Sequence, residues 1–194
     1  MKNAFNNVAV IGKFNAPEMR ENVLAMIEFL VAEQRNVFVE DQTAKHCNIA
    51  GYHLLSMDAI GSQVDLAVVL GGDGTMLTVA RQLAANAIPL IGVNQGRVGF
   101  LTDVNSANML EEMQKILLGE FSIEQRILLT ATIVRNGQAL SQGLAMNDVV
   151  VNKSGMSRLI ELEVNVDDQF VHKQRSDGLI LATPTGTTAY ALSA

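Results

Sequence analysis

The sequence predicts an α/β fold: an N-terminal doubly wound parallel-sheet domain at residues 1–120, then an incomplete antiparallel β domain at residues 121–194. Two observations lead there. As far as Gly119, short continuous apolar runs alternate with segments of helical apolar spacing, as in a parallel sheet covered on both faces. From Phe121 onward the helical period is lost, and alternation with hairpin turn signals replaces it.

Taken in order, Asn7–Ile11 (NVAVI) reads as a buried strand ending at Gly12. Pro17 suits a helix start, and Val23, Met26, Ile27, Leu30 and Val31 recur at helical spacing up to Gln34. Asn36–Glu40 (NVFVE) is a second strand and Asp65–Leu70 (DLAVVL) a third, with a helix over Thr75–Ala85 after it. Ile88–Val93 (IPLIGV) supplies a fourth strand, and a helix near Ala107–Leu118 ends at Gly119. In the second domain, Ile127–Arg135 is strand-like and meets Asn136-Gly137, the strongest short hairpin signal. Ile160, Leu162, Val164 and Val166 alternate with polar residues, giving one apolar and one wet face, and Asp167-Asp168 is a second candidate turn. This domain reaches Ala194 with an apolar face still to cover. The chain alone is therefore expected to be unstable or self-associated, and its full-length form a homo-oligomer (dimer or tetramer) built partly through the β domain.

Composition narrows the function classes. The chain has 194 residues, is 48% hydrophobic and 18% charged, and carries a net charge of -6. That charge gives no electrostatic case for nucleic acid or an anionic membrane surface, so an anionic substrate needs local donors. The single cysteine, Cys47, permits no intrachain disulfide, and the apolar run Val8–Ile11 is too short for a signal sequence or membrane span. A cytoplasmic location is expected. His46, Cys47 and His53 match no zinc spacing and are read as surface or packing residues.

Four motifs carry chemistry. Gly71-Gly72-Asp73-Gly74-Thr75 lies between the third strand and its helix, at the carboxyl edge where open α/β sheets bind ligands. Its glycines allow a backbone to approach phosphate closely, and the helix start offers free N–H groups. Asp73 would repel such a ligand unless it accepts a proton or holds a metal; the alternative is an Asp N-cap in a tight turn. No P-loop pattern is present, and Leu77 occupies the third glycine position of a dinucleotide fingerprint. Asn94-Gln95-Gly96-Arg97-Val98-Gly99-Phe100-Leu101-Thr102 follows the fourth strand on the same edge, with Phe100 placed either against a base or in the core. Asn147-Asp148 offers an amide and a carboxylate to a ribose diol, or is simply a turn. Arg175–Tyr190, with four threonines, two glycines and a proline, reads as a poor strand or helix but a dense hydroxyl-lined loop. Arg175 and Asp177 share a side at i, i+2, and either pair with each other or face a ligand together.

Together these pieces resemble the NAD kinase family, the bacterial ATP-NAD kinases. GGDGT alone is shared with diacylglycerol, sphingosine and 6-phosphofructokinases; NQGRVGFLTD, MNDVVV and RSDGLILATPTGTTAYALSA in this order are specific. The resemblance runs from Val8 to Ala194 and implies transfer of the ATP γ-phosphoryl group to the adenosine-ribose 2′-hydroxyl of NAD, giving NADP and ADP. It implies Asp73 as general base and Gly71, Gly72, Gly74 and Thr75 at the ATP phosphates. It places Asp73, Gly74, Phe100, Asn147, Asp148, Arg158, Arg175, Asp177, Thr185, Thr188, Ala189, Tyr190 and Ser193 at NAD. A divalent cation, Mg²⁺, is expected to travel with ATP, with no protein metal ligand assigned. Family members often have Glu in place of Asp148 and continue well beyond Ala194, so the chain is expected to be C-terminally truncated. The competing readings are a catalytically silent dinucleotide-binding module and a lipid kinase of the diacylglycerol kinase type; Asn147-Asp148 and Thr183–Tyr190 weigh against the latter.

Overall fold

A computed structural model describes residues 5–13, 16–96, 99–153 and 159–193. The chain divides into two compact units, Met1–Glu124 and Gln125–Ala194. The first contains β1 (Asn7–Gly12), α1 (Arg20–Ala32), β2 (Asn36–Glu40), α2 (Asp41–His46), β3 (His53–Leu55) and α3 (Met57–Gln63). It continues with β4 (Leu66–Leu70), α4 (Asp73–Leu83), β5 (Leu90–Asn94), β6 (Val104–Asn105) and α5 (Met109–Leu117). The strands form one parallel sheet in the order β3-β2-β1-β4-β5-β6. The order reverses between β1 and β4, which opens a crevice at their carboxyl ends.

Alternation decides which face each residue serves. Val8, Val10, Val68 and Leu70 join one core cluster with Val23, Met26, Ile27 and Leu30 of α1 and Met109, Met113 and Leu117 of α5. The intervening Ala9, Ile11, Ala67 and Val69 are equally buried, on the side where α4 packs on β4 and β5. Burying each large aliphatic contributes about 1.5–3 kcal/mol, so the apolar runs fix both strand identity and register. No helix among the described residues is long and apolar enough to cross a membrane.

The stretch between β2 and β4 departs from the sequence reading, which left it unassigned. Glu40, the last residue of β2, caps α2 by accepting from the Gln42 and Thr43 amides at 3.1 and 2.7 Å. The Thr43 hydroxyl donates to the same carboxylate at 2.6 Å and accepts from the Gly12 amide at 2.8 Å. A buried carboxylate and hydroxyl thus join the ends of β1 and β2.

The second unit contains β7 (Leu129–Arg135), β8 (Gln138–Ala145), β9 (Asp148–Asn152), β10 (Ile160–Val166), β11 (Gln169–Ser176) and β12 (Gly178–Ala182). Its described pairings are antiparallel: β7 with β8, β10 with β11, and β9 with β12. Asn136 and Gly137 take φ of 52° and 76°, and Asp167 and Asp168 take 49° and 62°. Positive φ at both central positions is the hairpin geometry that Asn-Gly and Asp-rich pairs favour. The Arg175–Tyr190 segment is corrected: Gly178–Ala182 is a strand, its Leu179 and Ile180 opposite Val151 and Val150, and only the part from Thr183 is loop and 3₁₀ turn.

Thr43→Val should destabilise the first unit by about 1–3 kcal/mol, because it keeps the shape but strands the Gly12 N–H and removes one of the two donors to Glu40 Oε2. Thr43→Ser should cost much less. Chemical denaturation of the three proteins checks this, and equal stability of Thr43→Val would mean that the hydroxyl carries no structural weight.

Candidate functional site

In the first unit the glycine-rich loop sits where β4 hands over to α4. The N-cap of α4 is Gly72, with φ of -79° and ψ of -176° and no side-chain cap. Asp73 is therefore not the capping residue that the sequence left as an alternative. Its carboxylate turns sideways to the loop after β5. Oδ2 accepts from the Phe100 amide at 2.8 Å, and Oδ1 accepts from the Leu101 amide and the Thr102 hydroxyl, both at 3.1 Å. A Cβ on Gly99 would collide with this carboxylate, which accounts for that glycine.

Gly72 and Gly74 are a different case. Neither has a φ in the left-handed region, and a Cβ on either would meet nothing within 4 Å. Neither backbone conformation nor protein packing calls for glycine there, and the backbone on that side is open to close approach. The first amides of an α-helix have no intrahelical acceptor and carry the positive end of its dipole. Beside them lies a cavity of about 660 Å³, lined by Gly72, Gly74 and Thr75, by Gly12 and Lys13 after β1, and by Gln42 on α2. It occupies the crevice that the strand order creates.

The other predicted residues divide as follows. Phe100 is 71% exposed, so it is not a core aromatic. In the second unit the Asn147 and Thr183 segments come together: the Thr183 amide donates to the Asn147 carbonyl at 2.8 Å. The buried Thr183 hydroxyl donates to the Met146 carbonyl at 2.5 Å and accepts from the Gly186 amide at 3.1 Å. A Cβ on Gly186 would strike the Asn147 carbonyl, so glycine is required for the turn to close on β9. Asn147 Oδ1 is buried and has no protein partner among the described residues. Asp148 opens β9 opposite Ala182, while Thr185 and Thr188 lie on one adjoining 3₁₀ turn, Tyr190 and Ser193 on the next, and Ala189 between the two.

Arg175 lies on the separate β10–β11 ladder, opposite Glu161. Asp177 pairs with Lys153 at 2.6 Å rather than with Arg175. Arg158 falls outside the described residues. Sequence reading gave no role to Thr102 or to Arg126, whose guanidinium donates to the Thr185 hydroxyl at 3.3 Å. Both partnerships join residues far apart in sequence, and only Thr102 stood inside a motif.

The ATP-NAD kinase N-terminal domain model matches residues 8–121, and the ATP-NAD kinase C-terminal domain model matches residues 146–194. NAD kinase of Aromatoleum aromaticum is 50% identical over 195 residues, covering 100% of this chain and 65% of that protein. NAD kinase of Thiobacillus denitrificans is 46% identical over 194 residues, covering 100% and 67%. The chain thus spans about two thirds of the length of the curated relatives it matches. Yeast NADH kinase complexed with NADH superposes with a TM-score of 0.84 at 25% identity, covering 99% of this chain and 61% of that one. NAD kinase from Archaeoglobus fulgidus in complex with ATP gives 0.70 at 28% identity, covering 97% and 65%. From both domain models and these relatives, the chain belongs to the ATP-NAD kinase family.

Proposed function

We propose that the protein is an ATP-dependent NAD kinase, transferring the γ-phosphoryl group of ATP to the 2′-hydroxyl of the adenosine ribose of NAD. The observation that carries this reading is the pairing of an oriented carboxylate with open-sided glycines in one loop. A carboxylate has about four acceptor positions, and the protein donors use two on Oδ1 and one on Oδ2. Oδ2 keeps the capacity to accept a substrate proton.

The chemistry then follows from charge and position. The open amides at Gly72 and Gly74 receive the phosphates of ATP, with the adjoining cavity for the rest of the nucleotide. The 2′-hydroxyl proton passes to Asp73 Oδ2 as the ribose 2′-oxygen bonds to the γ-phosphorus. The bond from phosphorus to the β,γ-bridging oxygen breaks, and ADP leaves. Mg²⁺ would be held by the ATP phosphates, since the one acceptor position left on the Asp73 carboxylate is assigned to the ribose proton. When bound, it would offset phosphate charge. Asn147, Asp148 and the Thr183–Thr188 turn are assigned to the dinucleotide, and the unpartnered Asn147 Oδ1 supports that assignment.

Two further features belong to this reading. Cys47 is a buried free thiol that burial pushes up from its ordinary pKa, in keeping with an inert core residue in a reducing cytoplasm. Ile133, Val134, Phe170 and Val171 of the second unit are exposed apolar side chains, and self-association into a homo-oligomer would give such surface a cover.

Asp73→Asn should lower kcat for NADP formation by at least about 10²-fold, the scale of a lost general base, with NAD affinity changed far less. Near-normal turnover would remove Asp73 from the chemistry. Gly74→Ala separates ligand access from folding. It should leave the melting temperature unchanged or slightly raised, since Ala is favoured over Gly by about 1 kcal/mol within a helix, yet raise KM for ATP at least several-fold. Gly99→Ala should instead lower the melting temperature. Unchanged ATP kinetics in Gly74→Ala would mean that its open side faces only solvent.

A further inference from the structure

We infer that Thr102 is a positioning residue that decides which oxygen of Asp73 faces the substrate; this rests on the kinase reading given above. Thr102 is fully buried, at 0% exposure. Its hydroxyl has one proton to donate and two lone pairs to offer, and all are used. It donates to Asp73 Oδ1 at 3.1 Å and accepts from Asn94 Nδ2 and from the Gly99 amide, both at 3.2 Å. The hydroxyl rotor therefore has one satisfied orientation, with its proton on Oδ1.

The consequence concerns the rotation of the carboxylate. With Leu101 N–H and Thr102 O–H both on Oδ1, that oxygen is filled, and Oδ2 with its single protein donor is left to accept the ribose proton. Without the hydroxyl, each oxygen would have one amide donor. The two would then be equivalent in donor count, and only the Phe100 and Leu101 amides would restrain the rotation of the carboxylate.

The surroundings are built for this contact. A Cβ on Gly92 of β5 would lie 2.7 Å from Thr102 Cγ2 and 2.9 Å from the Leu101 carbonyl oxygen. A Cβ on Gly99 would strike the Asp73 carboxylate. Two glycines thus clear the space in which a buried threonine meets the reacting carboxylate. The Gly99 amide also reaches the Thr102 carbonyl at 3.2 Å, closing the loop on itself.

The test compares Thr102→Val, which keeps the shape without the hydroxyl, with Thr102→Ser, which keeps the hydroxyl. Thr102→Val should lower kcat by at least about 10-fold with KM for NAD and ATP within about 3-fold, the pattern of an interaction that matters in the transition state. Thr102→Ser should recover most of the rate. Hydrogen exchange of the Phe100 and Leu101 amides should quicken in Thr102→Val but not in Thr102→Ser, while β4 and β5 amides stay protected. Should Thr102→Val fold poorly, Thr102→Cys, close in size with a weak S–H donor, carries the same comparison. Unchanged kcat and exchange in Thr102→Val, or a Thr102→Ser variant as impaired as Thr102→Val, would overturn the inference. If the unmodified protein makes no NADP, the kinase reading fails by itself, and the exchange comparison still decides whether Thr102 holds Asp73.

Discussion

The hydrogen bonds converging on the Asp73 carboxylate govern how the first unit presents its carboxyl edge. Asp73 begins α4, whose position is set by the end of β4 in the middle of the sheet. The donors come from the loop after β5, on the neighbouring strand. One side chain therefore ties two successive crossovers together. Hydrogen bonds to a charged group contribute about 1.5–3 kcal/mol each, less where solvent reaches the carboxylate as it does here. The tie also explains why Phe100 stands out from the surface: its amide is fixed while its ring is left 71% exposed.

The same device recurs at three places. Thr43, Thr102 and Thr183 are buried, and each puts a hydroxyl on backbone or carboxylate groups at the end of a strand. Thr43 joins β1 to β2, Thr102 joins the β5 loop to Asp73, and Thr183 joins the end of β12 to the approach to β9. A buried threonine suits this work because its methyl packs while its hydroxyl satisfies a donor and an acceptor that would otherwise be stranded. Strand ends are where backbone groups leave the ladder and need such partners. Ligand loops start at those same ends, so these fasteners and the binding residues are neighbours for a physical reason.

How far the sequence could be read follows from the range of the interactions involved. β1 and β4 were legible because both faces are buried and their residues are almost all apolar. The Asn136-Gly137 and Asp167-Asp168 turns were legible because positive φ at two successive positions demands particular residues. α2 was not, since its six residues depend on a glutamate cap from the preceding strand, an unusual choice of capping residue. β12 was missed because Gly178 and the following threonines suggested loop, whereas pairing with the apolar β9 decides its state. Within the site, GGDGT and the Asn147 and Thr183 segments were recognisable as local patterns. The grip of Phe100, Leu101 and Thr102 on Asp73, across 27 to 29 positions, has no local signature. The same holds for Arg126 and Thr185, 59 positions apart.

Asp73 Oδ2, held by the loop after β5, is the atom proposed to take the ribose proton. A crystal structure with NAD and a non-transferable ATP analogue should place the adenosine-ribose 2′-oxygen at about 2.6–3.2 Å from Oδ2, the reach of a general base, with the Phe100, Leu101 and Thr102 donors still on the carboxylate. A 2′-oxygen beyond hydrogen-bond reach of Asp73, or met by a different base, would contradict that assignment.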